Sequence, residues 1–174
     1  VSLAQEIGAE IINADSMQIY KGMDIGTAKL APADRGGIEH HMLDILAVTQ
    51  DSTVAWYQEL ARKAVDEIHQ AGKHAIIVGG TGLYIKSFCE GIDAMPNVDP
   101  ALRNSIIEDY EKNGLTWLQQ EVQKNDPVYW NQTAEQNNPQ RLMRALEMVL
   151  ATGNSITSFQ SAQKITRPFN ILKI

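Results

Sequence analysis

The stretch His74-Ala75-Ile76-Ile77-Val78-Gly79-Gly80-Thr81-Gly82-Leu83-Tyr84 decides the fold. A short run rich in β-branched residues, closed at once by glycines, reads as a strand buried on both faces. The GGTG turn then leads it into a helix running towards Cys89. Working upstream, Ser52 or Thr53 caps a helix whose apolar residues Tyr57, Leu60, Ala61, Ala64, Val65 and Ile68 keep the helical period, with Gly72 as its stop. Further upstream, EIINA (Glu10 to Ala14) is a second short strand, and Val1 to Ala9 reads as the end of a helix stopped by Gly8. Strand, helix, strand, turn and helix in this order imply a parallel sheet and an α/β architecture.

Between the strands, Gly22, Gly26 and Pro32 punctuate a long irregular loop that continues through Gly37 to the apolar segment Met42 to Leu46. Within it His40, His41 and Asp44 invite a metal site. Adjacent residues of an extended segment point to opposite sides, so packing is the better reading and no metal ligand is assigned. After Met95 the character changes. Asp99 or Pro100 opens a helix, Leu115 to Val122 forms another, Asp126 to Trp130 a short third, and Pro139 to Ala151 a further one with Leu142, Leu146 and Val149 inward. Asn170 to Ile174 (NILKI) reads as a last core strand. The expected organisation is therefore a core over residues 1–95, a helical insertion over 96–138 and a return to the core over 139–174.

The 174 residues are 44% hydrophobic and 21% charged, enough for an ordinary packed domain. No apolar run approaches the length of a membrane span, and Val1 to Ala9, which carry Glu6 and no basic residue, do not resemble a signal peptide. The single cysteine, Cys89, fits a reducing cytoplasm. A net charge of −6 argues against a general polyanion binder, but Arg141 with Arg144, and Lys164 with Arg167 and Lys173, are local cationic patches. Trp56, Trp117 and Trp130 are scattered and read as packing residues rather than base-stacking platforms.

Two motifs carry chemistry: ADSMQ (Ala14 to Gln18) and GGTG (Gly79 to Gly82), each at the carboxyl end of a parallel strand, where open sheets bind ligands. Each has two readings. Thr81 either caps the next helix or joins the N–H groups there in holding an anion. Asp15 is either a turn cap or a base at the strand end. Arg103 has the same ambiguity, since it is placed to pair with Asp99 on its own helix.

The strings IINADSMQIYKGMDIGTAK, HHMLDI, VGGTGLY, DPALR and NNPQRLMRALE, in this order and spacing, resemble the tRNA dimethylallyltransferase (tRNA isopentenyltransferase) family over essentially the whole chain. The resemblance implies a P-loop NTPase-like parallel sheet flanked by helices, with an all-helical insertion that grips the anticodon stem-loop of tRNA. It implies transfer of a dimethylallyl group from dimethylallyl diphosphate to N6 of the adenosine on the 3′ side of the anticodon, in tRNAs reading U-starting codons. On this reading Asp15 is the general base, Thr81 stands near the bridging oxygen of the donor, and Arg103 closes on the reacting groups. Ser16, Met17 and Gln18 touch the flipped-out base together with Asp15, Thr81 and Arg103, while Gln140, Arg141, Leu142, Met143 and Arg144 form a tRNA-contacting stretch in which the Leu142 side chain belongs to the core. The departing diphosphate calls for hydrogen-bond donors and Mg²⁺. The expected setting is a cytoplasmic monomer with tRNA and dimethylallyl diphosphate as partners and no membrane.

The family's G-x-x-x-x-G-K-[ST] loop has no match in these residues, and its expected place is just before Val1. The expectation is a fragment that lacks transferase activity by itself. Rival readings are an adenylate isopentenyltransferase, a small-molecule kinase of the same fold class, and a non-catalytic RNA-binding module. The helical insertion and QRLMR favour tRNA over a free nucleotide as acceptor.

Overall fold

The structure is a computed structural model that describes residues 1–160 and 165–174. Lys164, one of the cations noted above, lies outside the described residues. The chain packs as two units, Val1–Ile92 with Gln163–Ile174, and Asp93–Ala162.

The first unit is built on a three-stranded parallel sheet in the order β2-β1-β3, with β1 Ala9–Asn13, β2 His40–His41 and β3 His74–Val78. Side chains of β1 alternate between faces, as the two-residue strand period requires. Ala9 and Ile11 pack with Ala4 of α1 (Ser2–Ile7), Ile38 and Ile76 on one face. Ile12 and Ala14 join the larger core on the other, against α2 (Val54–Gln70) and α3 (Gly82–Glu90). Ile12 is fully buried, which stabilises the fold by roughly 1.5–3 kcal/mol. α2 starts where the Thr53 hydroxyl accepts the Trp56 N–H at 3.1 Å, and buries Tyr57, Ala61, Ala64, Val65 and Ile68. Tyr57 stacks on Tyr84 with ring centroids 4.1 Å apart, locking α2 to α3.

Charge fixes two further features of this unit. Glu10 of β1 bonds His41 Nε2 of β2 at 2.7 Å and Lys73, just before β3, at 2.6 Å, tying all three strands on one face. The loop after β1 folds around Lys29, whose ammonium donates to Tyr20 O at 2.6 Å, Asp24 Oδ1 at 2.9 Å and Asp44 Oδ1 at 2.6 Å. Burial alone pushes the Lys29 ammonium down, yet its hydrogen bonds to Asp44 and Asp24 outweigh this and raise it.

The second unit is helical: α4 Pro100–Asn125, α5 Pro127–Gln132 and α6 Pro139–Thr152, followed by a 3₁₀ turn at Ile156–Phe159. Asp99 opens α4 by accepting Ala101 N–H at 2.9 Å. Gly114, at φ 77°, breaks α4 in the left-handed region that favours glycine, so two helical arms meet there as the sequence pattern implies. Asp126 is buried and fully used: Oδ1 caps Tyr129 N–H at 3.0 Å, and Oδ2 accepts Ser155 Oγ at 2.9 Å and Ile156 N–H at 3.2 Å.

Three expectations fail. β3 is not buried on both faces: His74 and Val78 at its ends are exposed and Ala75 to Ile77 are only partly buried. α6 does not return to the sheet at residue 139, because Leu142, Ala145, Leu146 and Met148 fill the helical core with Ile106, Leu118 and Val122. Nor is NILKI a strand. Ile171, Leu172 and Ile174 are exposed and unpaired in any ladder, while Phe169 and Arg167 anchor the segment against Phe88. Among the described residues no helix is long and apolar enough to cross a membrane.

The ends of β1 and β3 approach so closely that a Cβ on Gly79 would lie 2.2 Å from the carbonyl carbon of Ala14. Gly79→Ala is therefore expected to cost at least about 2 kcal/mol in urea unfolding, as overpacking against backbone does. An unchanged urea midpoint would mean that the strand ends are not in contact.

Hydrogen bonds from Lys73 first, then His41, hold the Glu10 carboxyl below the usual range against the opposing effect of burial. A depressed carboxyl contributes stability above its unfolded pKa and loses it as pH falls through the folded one. The expected window opens near the ordinary glutamate value of about 4.3 and runs downward. Urea midpoints measured across it should fall more steeply for the wild type than for Glu10→Gln; parallel curves would remove Glu10 from the acid response.

Candidate functional site

Asn13 ends β1 and is buried, with its amide donating to Met42 O and Asp15 O, both at 3.2 Å. Beyond the strands the ladder continues by two backbone bonds. Ala14 N–H donates to Val78 O at 2.8 Å, and Thr81 N–H donates to Ala14 O at 2.9 Å. The DSMQ and GGTG loops are thereby held side by side at the carboxyl edge of the sheet, where open parallel sheets place their ligands.

Side chains complete the junction. Thr81 Oγ1 accepts Ser16 N–H at 2.9 Å and donates to Ser16 Oγ at 3.1 Å. The hydroxyl thus crosslinks the loops instead of capping α3, whose first-turn N–H groups at Gly82 and Leu83 have no helical acceptor. Asp15 Oδ1 accepts Met17 N–H at 2.8 Å and Gln18 N–H at 3.3 Å, an Asx turn that sets the carboxylate plane. The other oxygen, Oδ2, lies over Gly80, 3.4 Å from where a Cβ there would sit. Gln18 is steered by its amide bond to Thr27 O at 2.9 Å, and Met17 is exposed.

The arrangement sets a partly exposed carboxylate, two hydroxyls and a helix N-terminus side by side at the edge of the sheet. A carboxylate so held takes up a proton, and N–H and O–H groups stabilise an anion. Among the described residues no group of three or more His, Cys, Asp and Glu is placed to hold a metal. His41 is engaged by Glu10, and His40 Nδ1 lies 2.8 Å from Ile38 O.

The remaining candidates lie in the helical unit. Gln140 and Arg141 are exposed on α6, Met143 and Arg144 are half-buried, and Leu142 is fully buried, so its side chain is core and presents nothing to a ligand. Arg141 pairs with Glu135 at 2.8 Å. Asp99 spends its carboxylate on capping, and Arg103 pairs instead with Glu147, its Nε 3.5 Å from Oε1. Arg144 Nη1 reaches the other oxygen of Glu147 at 2.8 Å. Arg103, Ile106, Tyr110, Gln140, Arg144 and Glu147 line one groove between α4 and α6. Glu147 escaped the reading of the sequence. An acid flanked by Leu146 and Met148, three residues after an arginine, was the available signal. Trp56, Trp117 and Trp130 pack against the cores.

The family model described as IPP transferase matches residues 18–174. A tRNA dimethylallyltransferase of Pseudarthrobacter chlorophenolicus is 44% identical over 169 residues, covering 97% of this chain and 55% of the relative. One from Carboxydothermus hydrogenoformans is 41% identical, with 97% and 54% covered. The chain thus spans about half the length of the curated relatives it matches. Among solved structures, the tRNA isopentenylpyrophosphate transferase of Bacillus halodurans is 35% identical with a TM-score of 0.54, covering 89% of this chain and 51% of that one. A eukaryotic dimethylallyltransferase crystallised acting on tRNA is 29% identical with a TM-score of 0.74, covering 94% and 40%. The parallel sheet with flanking helices is accordingly of the P-loop NTPase-like kind that these transferases share. By sequence and by fold, this chain belongs to the IPP transferase family.

Proposed function

We propose that the protein transfers a dimethylallyl group from dimethylallyl diphosphate to N6 of an adenosine beside the anticodon of tRNA, in the cytoplasm. The observation that carries this reading is the crosslink from Thr81 Oγ1 to Ser16 N at 2.9 Å, which sets the acid of DSMQ beside the hydroxyl of GGTG. Relatives named for this reaction support the substrate assignment.

In the proposed step the N6 lone pair attacks C1 of the donor, the C1–O bond breaks, and diphosphate leaves with the electron pair. An aromatic amine is a weak nucleophile, so a base that takes its proton as positive charge develops lowers the barrier. Asp15 supplies Oδ2 for this, because Oδ1 is held by the turn. Thr81 turns its O–H from Ser16 Oγ towards the bridging oxygen. Ser16, Met17 and Gln18 line the base. Mg²⁺, where present, neutralises charge on the diphosphate. The described residues offer it Asp15 and two hydroxyls but no carboxylate cage, so the ion would be held chiefly by phosphate and water, and no step here depends on it. Gln140, Arg141, Met143 and Arg144 meet the RNA, with Arg103 adding a further cation.

In the full-length protein, Asp15→Asn keeps the turn acceptor but removes the base. Transfer of labelled prenyl to tRNA is expected to fall by about 10²–10⁴-fold, the range for losing a positioned general base, with tRNA affinity little changed. A variant that retains its turnover would displace Asp15 from this role.

A further inference from the structure

Among the described residues of the helical unit Glu147 and Asp126 are the buried carboxylates, and where Asp126 bonds backbone N–H groups Glu147 bonds arginine side chains. Its side chain is 3% exposed, whereas those of its partners Arg103 and Arg144 are 59% and 37% exposed. A buried carboxylate held by ion pairs gains little over a well-packed apolar residue, because desolvation offsets the attraction, so fold stability alone does not account for it. The helical core already has leucine and methionine on either side.

Geometry supplies the account. Arg103 stands on α4 and Arg144 on α6, and one carboxylate between them gives an oxygen to each, Oε1 at 3.5 Å and Oε2 at 2.8 Å. A free arginine side chain loses rotamer entropy when a ligand immobilises it, and a guanidinium already braced loses less. The Arg103–Glu147–Arg144 cluster carries a net charge of +1, which Glu111 in the lining of the same groove offsets, so the groove's hold on phosphate comes from presented guanidinium donors rather than from excess charge.

We propose that Glu147 is a positioning residue: a buried bracket that presents Arg103 and Arg144, preorganised, to the phosphate backbone of the RNA. The inference rests on the tRNA-binding reading above and adds to it the residue through which the arginines are held. A purely structural Glu147 would steady α4 against α6 whether or not Arg144 is present. A positioning Glu147 matters to RNA only through its arginines.

A double-mutant cycle in the full-length protein separates these. Affinity for an anticodon stem-loop RNA is measured by fluorescence anisotropy, with an unstructured RNA of equal length as reference. Glu147→Gln, which keeps the shape and one acceptor, is expected to weaken stem-loop binding about tenfold, within the coupling range for residues in contact. In an Arg144→Gln background, itself weakened, the same change should add less than about twofold. Glu147→Asp keeps the charge on a shorter arm and should fall between; it carries the comparison if Glu147→Gln melts at assay temperature. Equal losses in both backgrounds, unchanged binding, or tighter binding in Glu147→Gln would each overturn the positioning role and leave RNA binding standing. Wild-type protein that fails to prefer the stem-loop over the unstructured RNA would overturn both readings.

Discussion

Two backbone hydrogen bonds, from Ala14 N–H to Val78 O and from Thr81 N–H to Ala14 O, are the constraint on which the site depends. They carry the parallel ladder past the last strand residues, into what would otherwise be two independent loops. The approach is tolerable only because position 79 has no side chain, since any Cβ would fall on the backbone of Ala14. Once the strand ends are locked, the Thr81 hydroxyl is within reach of Ser16, and the Asx turn of Asp15 follows from the same fixed backbone. Gly79 of GGTG therefore serves contact between neighbouring chain segments as much as the turn itself.

This explains what was legible beforehand. The helices declared themselves through period and caps: Thr53, Asp99 and Asp126 each hold a first-turn N–H as their position implies. The strands at Glu10 and His74 were readable from β-branched runs, and their parallel pairing from the helix between them. The site was legible as two motifs at two strand ends. Their meeting was not, because the bond between Ser16 and Thr81 spans 65 residues and no local pattern encodes it.

The failures share that cause. NILKI has the composition of a strand, but a strand exists only beside a partner, and this segment finds a helix surface through Phe169 instead. The expected return to the core begins at residue 139, yet the apolar stripe of α6 matches α4, whose Ile106, Leu118 and Val122 accept it. Arg103 looked suited to Asp99 four residues away. Asp99 was already committed to Ala101, and a buried acid 44 positions further along took the arginine. Competition for a limited number of acceptors, rather than spacing along one helix, decides such pairs.

For Asp15 the structural and chemical readings turn out not to compete. A carboxylate has two oxygens, and the turn consumes one: Oδ1 holds Met17 and Gln18 while Oδ2 lies over Gly80. The turn bonds fix the direction in which Oδ2 points, so the acid reaches a substrate without first losing rotamer freedom. Asparagine at this position keeps the turn acceptor and presents an amide where the second oxygen was, which separates the two duties within one side chain. The bland role of Asp15 is thus the means by which its chemical role is aimed.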